Sequence, residues 1–164
     1  MSLADDLLRA NEEYIAHFDA SGLKVRPIKH LAILTCMDSR YTAQGVLGLA
    51  LGDTHVVRNA GGRVTEDTIR SLAISAAILD TRACVVIHHT ECGLLGRTDE
   101  DLRQRVAEVT GARAPFGFLG FDDLEQSVRD DVHALHASQY LPHDYEVIGF
   151  TYDVQTGRLT PVEA

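Results

Sequence analysis

Continuous apolar runs alternate with amphipathic stretches along most of the chain. Four runs are short and unbroken, which is typical of strands in a sheet covered on both faces, and they lie at residues 30–36, 54–58, 83–88 and 145–152. The stretches between them predict helices at residues 43–49, 65–79, 99–109 and 122–138. A turn after residue 153 leads into a short terminal strand. This order predicts an α/β fold: a mostly parallel central sheet of about four strands plus a short C-terminal strand, with helices on both faces.

The first 26 residues precede this pattern and predict a helical arm. Apolar residues at positions 3, 7, 8, 14, 15 and 18 mostly fall on one side of a helix over residues 2–20, and Ser21-Gly22 predicts its end. Because this helix lies outside the sheet pattern, it could pack on its own domain or on a partner subunit. No repeat, low-complexity tract or interdomain linker follows, so we expect one domain over residues 1–164.

Composition narrows the classes of function. The chain has 164 residues, of which 45% are hydrophobic and 24% charged, both ordinary for a soluble fold. Its formal net charge of −9 argues against a nucleic-acid partner, which requires a basic surface. No apolar run is long enough to cross a bilayer, and the N-terminus is acidic where a secretory signal is basic and then apolar. We therefore expect a cytoplasmic protein with no membrane partner.

The cysteine count points to metal or thiol chemistry. The chain has three cysteines, an odd number, and no export signal, which argues against a disulfide framework. Cys84 lies inside the third predicted strand and is expected to be a small buried hydrophobic residue. The other two cysteines are the candidates for function.

Clusters of reactive side chains follow the first three predicted strands. These clusters are Cys36-Met37-Asp38-Ser39-Arg40, Arg58-Asn59-Ala60-Gly61-Gly62 and His88-His89-Thr90-Glu91-Cys92-Gly93. In open parallel sheets, ligands bind beyond the carboxyl ends of the strands. If the strands are parallel neighbours, the three clusters therefore share one crevice.

Two thiols and one imidazole in these clusters predict a metal site. A turn can aim His89 and Cys92 at one ion because only two residues separate them, and Cys36 arrives from another strand. This set leaves one tetrahedral position open for water or substrate, as in catalytic zinc sites. Neighbouring residues on a strand point to opposite faces, so we favour His89 as the ligand and expect His88 to pack or hydrogen-bond beneath the sheet.

Asp38 and Arg40 lie two positions apart, just after the first strand, and predict a paired carboxylate. A guanidinium can hold a carboxylate with two parallel hydrogen bonds, which keeps it ionised and leaves an oxygen for water on the metal. A purely structural ion pair is the alternative. Met37 is expected to line the pocket or the core, and Arg58 to anchor structure. His55 or an exposed buffer is the candidate to carry away a proton.

The motifs around these residues resemble those of the β-carbonic anhydrases. Cys36-x-Asp38-x-Arg40 is followed by His89-x-x-Cys92-Gly93, and His89 lies 53 positions after Cys36. Residues 52–61 and the ending 149–157 are also similar to that family. The resemblance is strong from about residue 32 to residue 93 and weaker through the middle of the second half. The short chain and the double histidine resemble the small bacterial branch.

This resemblance implies a role for each matched residue. One zinc ion per chain would be bound by Cys36, His89 and Cys92. Asp38 and Arg40 would form the dyad of the family. In some members the matching aspartate occupies the fourth zinc position in an inactive state, and the sequence leaves both states open.

The resemblance also implies a reaction and an assembly. The reaction is the reversible hydration of carbon dioxide to bicarbonate and a proton by zinc-bound hydroxide. Two thiolate ligands predict weaker acidification of water than imidazoles give, and hence activity that rises at alkaline pH. Backbone amides around Gly61 and Gly93 are candidates to bind substrate or product oxygens. The family usually builds its pocket at a dimer interface, so a homodimer or dimer of dimers is implied, often with the N-terminal helix embracing the other subunit.

Two other functions stay open at this point. Carbonyl sulfide and carbon disulfide hydrolases resemble the same family and use the same zinc set on another linear molecule, so the dyad does not discriminate between these substrates. A non-catalytic zinc protein, serving regulation or metal storage, is the second alternative. The Asp38–Arg40 pair and the open fourth position argue against it.

Overall fold

Five strands form the central sheet. The computed structural model describes residues 2–164, and its strands are β1 (Leu31–Cys36), β2 (Thr54–Asn59), β3 (Ala83–His89), β4 (Glu146–Tyr152) and β5 (Leu159–Val162). Their order in the sheet is β2-β1-β3-β4-β5. The pairs β1–β2, β1–β3 and β3–β4 are parallel, whereas β5 runs antiparallel to β4 at the edge. The predicted mostly parallel sheet with a short C-terminal strand is confirmed.

The described residues contain five α-helices, namely α1 (Leu3–Ile15), α2 (Ala43–Leu47), α3 (Glu66–Ala77), α4 (Asp99–Thr110) and α5 (Leu124–His136). Side-chain oxygens of Thr65, Thr98 and Asp123 accept backbone N–H groups in the first turns of α3, α4 and α5. These caps satisfy donors that the helix itself leaves unpaired, and they set where each helix begins. Within residues 2–164, no helix combines the length and the apolar character that crossing a membrane requires.

Helix α1 is shorter than its apolar pattern predicted. It ends at Ile15, whereas we expected it to reach residue 20. The Asp19 carboxylate accepts hydrogen bonds from the Ser21 backbone N–H at 2.7 Å and from the Ser21 hydroxyl at 2.6 Å. Such local side-chain turns compete with helical hydrogen bonding, so periodicity alone overestimated the helix. No residue of α1 is buried.

The core lies on both sides of β1 and β3. On one side, Leu34 packs with Leu72 of α3 and with apolar residues of α5. On the other side, Ile33 packs with Ile87 and with the segment around α2. Successive side chains of a strand point to opposite faces, and here both faces are buried, which explains the unbroken apolar runs. Cys84 is fully buried, as its place in β3 predicted.

Candidate metal centre

The carboxyl ends of β1 and β3 bring three ligand-type side chains together. Cys36 is the last residue of β1, His89 the last of β3, and Cys92 lies in the turn that follows. Because Thr35 pairs with Ile87, the two strand ends are adjacent. The two sulfurs and a ring nitrogen of His89 all lie within 4.8 Å of one another. The structure thus assembles the three residues that the sequence singled out as metal ligands.

One nitrogen of His89 is prepared to bind a metal. Nδ1 lies 2.8 Å from the backbone carbonyl of Thr90, and because a carbonyl only accepts, Nδ1 carries the proton. Nε2 then has a lone pair, yet it is buried without a hydrogen-bond partner. A buried polar atom without a partner is costly unless something binds it. A metal ion between Nε2 and the two sulfurs would satisfy it. His88 points to the other face, as strand alternation predicted, and hydrogen-bonds Ser127.

The two thiols interact strongly with each other. A hydrogen bond between Cys92 and Cys36 holds the pKa of Cys36 well below its usual value and raises that of Cys92. The backbone of Asp38 and Gly61 lowers the pKa of Cys36 further, against the opposing effect of burial. One thiol therefore ionises readily, and a cation would stabilise the second as a thiolate. Two thiolates and one imidazole suit zinc, with a fourth position left over.

Arg40 grips Asp38 with parallel hydrogen bonds. Arg40 Nε lies 3.0 Å from Asp38 Oδ1, and Nη2 lies 2.9 Å from Oδ2. The backbone N–H of Arg40 also donates to Oδ1 at 2.9 Å. These contacts lower the pKa of Asp38 to about 2, so its carboxylate is ionised at neutral pH. Asp38 Oδ2 lies 3.8 Å from His89 Nε2, at the edge of the candidate metal position.

Glu91 is a site residue that sequence reasoning missed. Its φ of +55° is rare for a residue other than glycine and turns the chain between His89 and Cys92. Its carboxylate accepts from Arg40 Nη1 at 2.7 Å and from Gln155 Nε2 at 2.8 Å. The only sequence signal was its place inside His-x-x-Cys, which says nothing about a partner 64 positions away.

The two glycines proposed for substrate binding differ in their surroundings. Gly61 has a φ of +76°, and a Cβ there would lie 2.7 Å from the Leu94 side chain. Its backbone contributes to lowering the pKa of Cys36. A Cβ on Gly93 would meet no atom within 4 Å, so that residue borders open space. A role for either in binding substrate stays a prediction.

Arg58 anchors the end of β1, which agrees with the structural role expected for it. Its Nε donates to the carbonyl of Cys36 at 2.7 Å, and its Nη1 donates to the carbonyl of Tyr41 at 3.1 Å. Nη2 donates to the carbonyl of Asp38. One guanidinium therefore fixes the backbone that carries both a candidate ligand and the dyad carboxylate.

Two expectations about neighbouring residues are wrong. Met37 was expected in the pocket or the core, but it is 67% exposed, because Cys36 takes the inward position at the strand end. His55 pairs with Ala32 at the amino end of β2, four residues before Asn59, which lies beside Cys36. That separation is about 13 Å along a strand. His55 instead hydrogen-bonds Ser75 at 2.7 Å, so its position does not suit proton transfer at the site.

Apolar side chains close one side of the site. Leu94 and Phe121 form a buried cluster with Cys36 and Cys92, and side chains from α4 and α5 pack behind them. The site therefore has charged groups on one side and apolar groups on the other.

Comparisons with known proteins agree on one family. The family model described as carbonic anhydrase matches residues 31–112. The chain is 38% identical over 162 residues to β-carbonic anhydrase 1 of Mycobacterium tuberculosis, and the match covers 99% of each chain. The crystal structure of carbonic anhydrase from Streptococcus mutans superposes with a TM-score of 0.94, at 43% identity and 99% coverage of both chains.

A further relative carries another activity. The carbon disulfide hydrolase of Saccharolobus solfataricus is 42% identical over 157 residues. This match covers 80% of the present chain and 76% of the hydrolase. Its identity rivals that of the two carbonic anhydrases, but its coverage is smaller.

Proposed function

This chain belongs to the β-carbonic anhydrase family, and we propose that Cys36, His89 and Cys92 hold one zinc ion per chain at its active site. The activity is the reversible hydration of carbon dioxide to bicarbonate and a proton. The observation that carries the zinc proposal is the buried, unpartnered Nε2 of His89 beside two thiols. When bound, zinc supplies a Lewis acid that lowers the pKa of a coordinated water.

Asp38 and Arg40 are proposed to orient the reacting water. Asp38 Oδ2 faces the candidate metal position and is placed to accept a hydrogen bond from that water. Arg40 restrains both oxygens of the carboxylate, so the acceptor stays in one orientation. Because both oxygens engage Arg40, this arrangement keeps Asp38 available to water rather than to the metal. Leu94 and Phe121 then exclude bulk water from one side.

Gly93 is the better supported of the two glycines for binding substrate or product oxygens. A Cβ on Gly93 would meet no atom within 4 Å, whereas a Cβ on Gly61 would lie 2.7 Å from the Leu94 side chain. The apolar wall of Leu94 suits linear, uncharged carbon dioxide.

A cysteine substitution tests the metal centre. We expect Cys36→Ser to reduce bound zinc from about one ion per chain to a small fraction, since it removes one of three ligands. Carbon dioxide hydration should fall to background with it. Metal analysis and stopped-flow hydration at alkaline pH measure both quantities.

Cys84→Ala is the matched control for this substitution. Cys84 is fully buried in β3 and distant from the strand end, so its loss should leave zinc and hydration intact. If Cys36→Ser retained a full complement of zinc, the proposed ligand set would be wrong.

Carbon disulfide hydrolysis is the second candidate function. The hydrolase of S. solfataricus favours it through 42% identity, although it matches only 80% of the chain. Water attacks the carbon of a linear molecule in either case. The two functions are distinguished by measuring the rates of reaction with carbon dioxide, carbonyl sulfide and carbon disulfide on one zinc-loaded preparation. We expect the first to be much the fastest, and a faster carbon disulfide reaction would reverse the assignment.

We further propose that the protein forms a homodimer or a dimer of dimers through α1. The apolar residues of α1 are exposed, with Leu3 at 77% and Leu8 at 66%. A groove on α3, lined by Ile69, Ala73 and Ile74, offers an apolar surface that a second copy can cover. Residues 1–26 would then be an arm on the partner subunit. The net charge of −9 supports the predicted absence of nucleic acid, and a cytoplasmic location stays a prediction.

A further inference from the structure

His88 is fully buried but lies outside the candidate ligand set. Its Nδ1 lies 2.7 Å from Ser127 Oγ of α5. Its Nε2 lies 3.2 Å from the carbonyl of Gly62 and 3.2 Å from Asp131 Oδ2 of α5. A carbonyl and a carboxylate both accept hydrogen bonds, so Nε2 carries a proton and donates to them. His88 therefore ties the segment that follows β2 to helix α5.

Asp131 extends this connection to the residue after Gly62. Arg63 Nε donates to Asp131 Oδ2 at 2.8 Å, and its Nη2 donates to Oδ1 at 3.3 Å. The Asp131 side chain is 5% exposed and that of Arg63 11%, so the ion pair is shielded from water. The Asp131 carboxylate thus binds Arg63 directly and binds His88, which in turn donates to the carbonyl of Gly62.

The segment held in this way lies directly against Cys36. Gly62 has a φ of +71°, and a Cβ there would lie only 2.8 Å from the backbone nitrogen of Cys36. The preceding residue, Gly61, lies against the Leu94 side chain, which belongs to the same buried cluster as Cys36. Phe121 stacks on the His88 ring at 5.8 Å between centroids and also packs with Cys36. A displacement of His88 or Asp131 would therefore move the groups that surround Cys36.

We propose that His88, Asp131 and Arg63 form a positioning cluster that fixes Gly62 against the backbone of Cys36 and so sets the position of its sulfur. Partners of this kind, one step removed from the metal, orient the ligands and tune the charge that they donate. The inference rests on the proposed role of Cys36 as a zinc ligand. The cluster has no part in the chemistry itself, and its residues are positioning residues.

The test uses the full chain loaded with cobalt(II), whose sulfur-to-metal charge-transfer band reports on the thiolates. We expect Asp131→Asn and His88→Leu to shift this band, because a displaced Cys36 changes the overlap between its sulfur and the metal. Zinc affinity, measured by competition with a chelator, should fall about tenfold. His88→Gln keeps an N–H near Nε2 and should stay close to wild type.

Tyr145→Phe is the control for general loss of stability. Its hydroxyl makes a buried hydrogen bond to Thr81 at 3.2 Å, just before β4 and away from the strand ends that form the site. This variant should be less stable yet keep both the band and the zinc affinity. If His88→Leu fails to fold, Asp131→Asn decides, because it preserves the volume of the side chain.

Two results separate the inference from the proposed function. If Cys36→Ser abolishes zinc binding but the folded cluster variants keep the wild-type band and affinity, the positioning cluster is overturned and the zinc site stands. If Cys36→Ser keeps zinc bound, the proposed centre itself is wrong and the inference falls with it.

Discussion

Arg40 contacts two carboxylates, those of Asp38 and Glu91, and its contact with Asp38 is the stronger. The Asp38 side chain is 17% exposed, whereas that of Glu91 is 51% exposed and better solvated. Exposed ion pairs contribute little because water and salt screen them. Asp38 also receives a backbone N–H and two guanidinium donors, while Glu91 Oε2 receives one guanidinium donor. The guanidinium therefore serves mainly to hold Asp38, and Glu91 limits its rotation.

Asp38→Asn tests the orienting role of this carboxylate. The substitution keeps the shape but places an amide N–H₂ against the donors of Arg40, so the side chain loses its fixed orientation. We expect kcat/KM for hydration to fall about 100-fold while zinc content stays unchanged. Stopped-flow kinetics and metal analysis on the same samples measure the two.

The low pKa of Asp38 also predicts how stability and the hydration rate depend on pH. A pKa of about 2 in the folded chain is below the ordinary value of 3.8. The carboxylate therefore stabilises the fold above about pH 3.8, and that contribution disappears only as the pH falls through about 2. Between pH 4 and 7 Asp38 should not titrate, so the acid limb of the rate profile belongs to another group and should still be present in Asp38→Asn. Its disappearance in the variant would contradict this assignment.

The strands could be predicted from the sequence more accurately than the helix ends and the long-range side-chain contacts. Burial on both faces makes β1 and β3 continuous apolar runs, a signal that needs no knowledge of the partners. Cys36, His89 and Cys92 followed because parallel strands end at one edge. The contacts Gln155–Glu91 and Arg63–Asp131 join residues 64 and 68 positions apart, and no local pattern records them. The end of α1 at Ile15 falls inside an apolar pattern that continues to Phe18, so the pattern did not mark it.

The close packing of Gly62, in the turn after β2, can be tested by substitution. Gly62→Ala would require a methyl group 2.8 Å from a backbone nitrogen in a left-handed conformation. Gly48 has a φ of +65° with no atom within 4 Å of its Cβ position. Gly48→Ala should therefore cost about 1–2 kcal/mol, for the backbone conformation alone. Gly62→Ala should cost more and should also weaken zinc binding.

Urea unfolding of zinc-free protein and zinc titration measure these two effects for both variants. Equal losses of unfolding free energy, with zinc affinity unchanged in each, would show that Gly62 is an ordinary turn glycine.

Helix α1 is capped at its N-terminus, but its apolar side does not pack against the core of the single chain. Its Ser2 and Asp5 side chains form a capping box, so its beginning is specified locally. Its apolar side nevertheless faces solvent in the single chain, with Leu7 62% exposed. Short helices gain most of their stability from packing an apolar face. A covering subunit would supply that packing for α1 and for the apolar groove on α3.

Leu7→Lys tests this assembly because it places a charge at the centre of the apolar side. We expect the Kd for self-association to rise at least about tenfold, as measured by sedimentation velocity over a range of concentrations. Glu13→Lys changes charge on the opposite side of the same helix and should leave association unchanged. A wild-type protein that is monomeric throughout that range would contradict the proposed dimer.

The ligands come from distant parts of the chain, and this has a consequence for folding. Cys36 belongs to β1, His89 ends β3 53 positions further along, and Cys92 lies in the turn after β3. An ion bound by all three would act as a removable crosslink, which restricts the unfolded chain much as a long-range disulfide does. Capture of the ion has to wait until β1 and β3 lie side by side, so the rate of metal uptake by refolding protein reports when the centre of the sheet has formed.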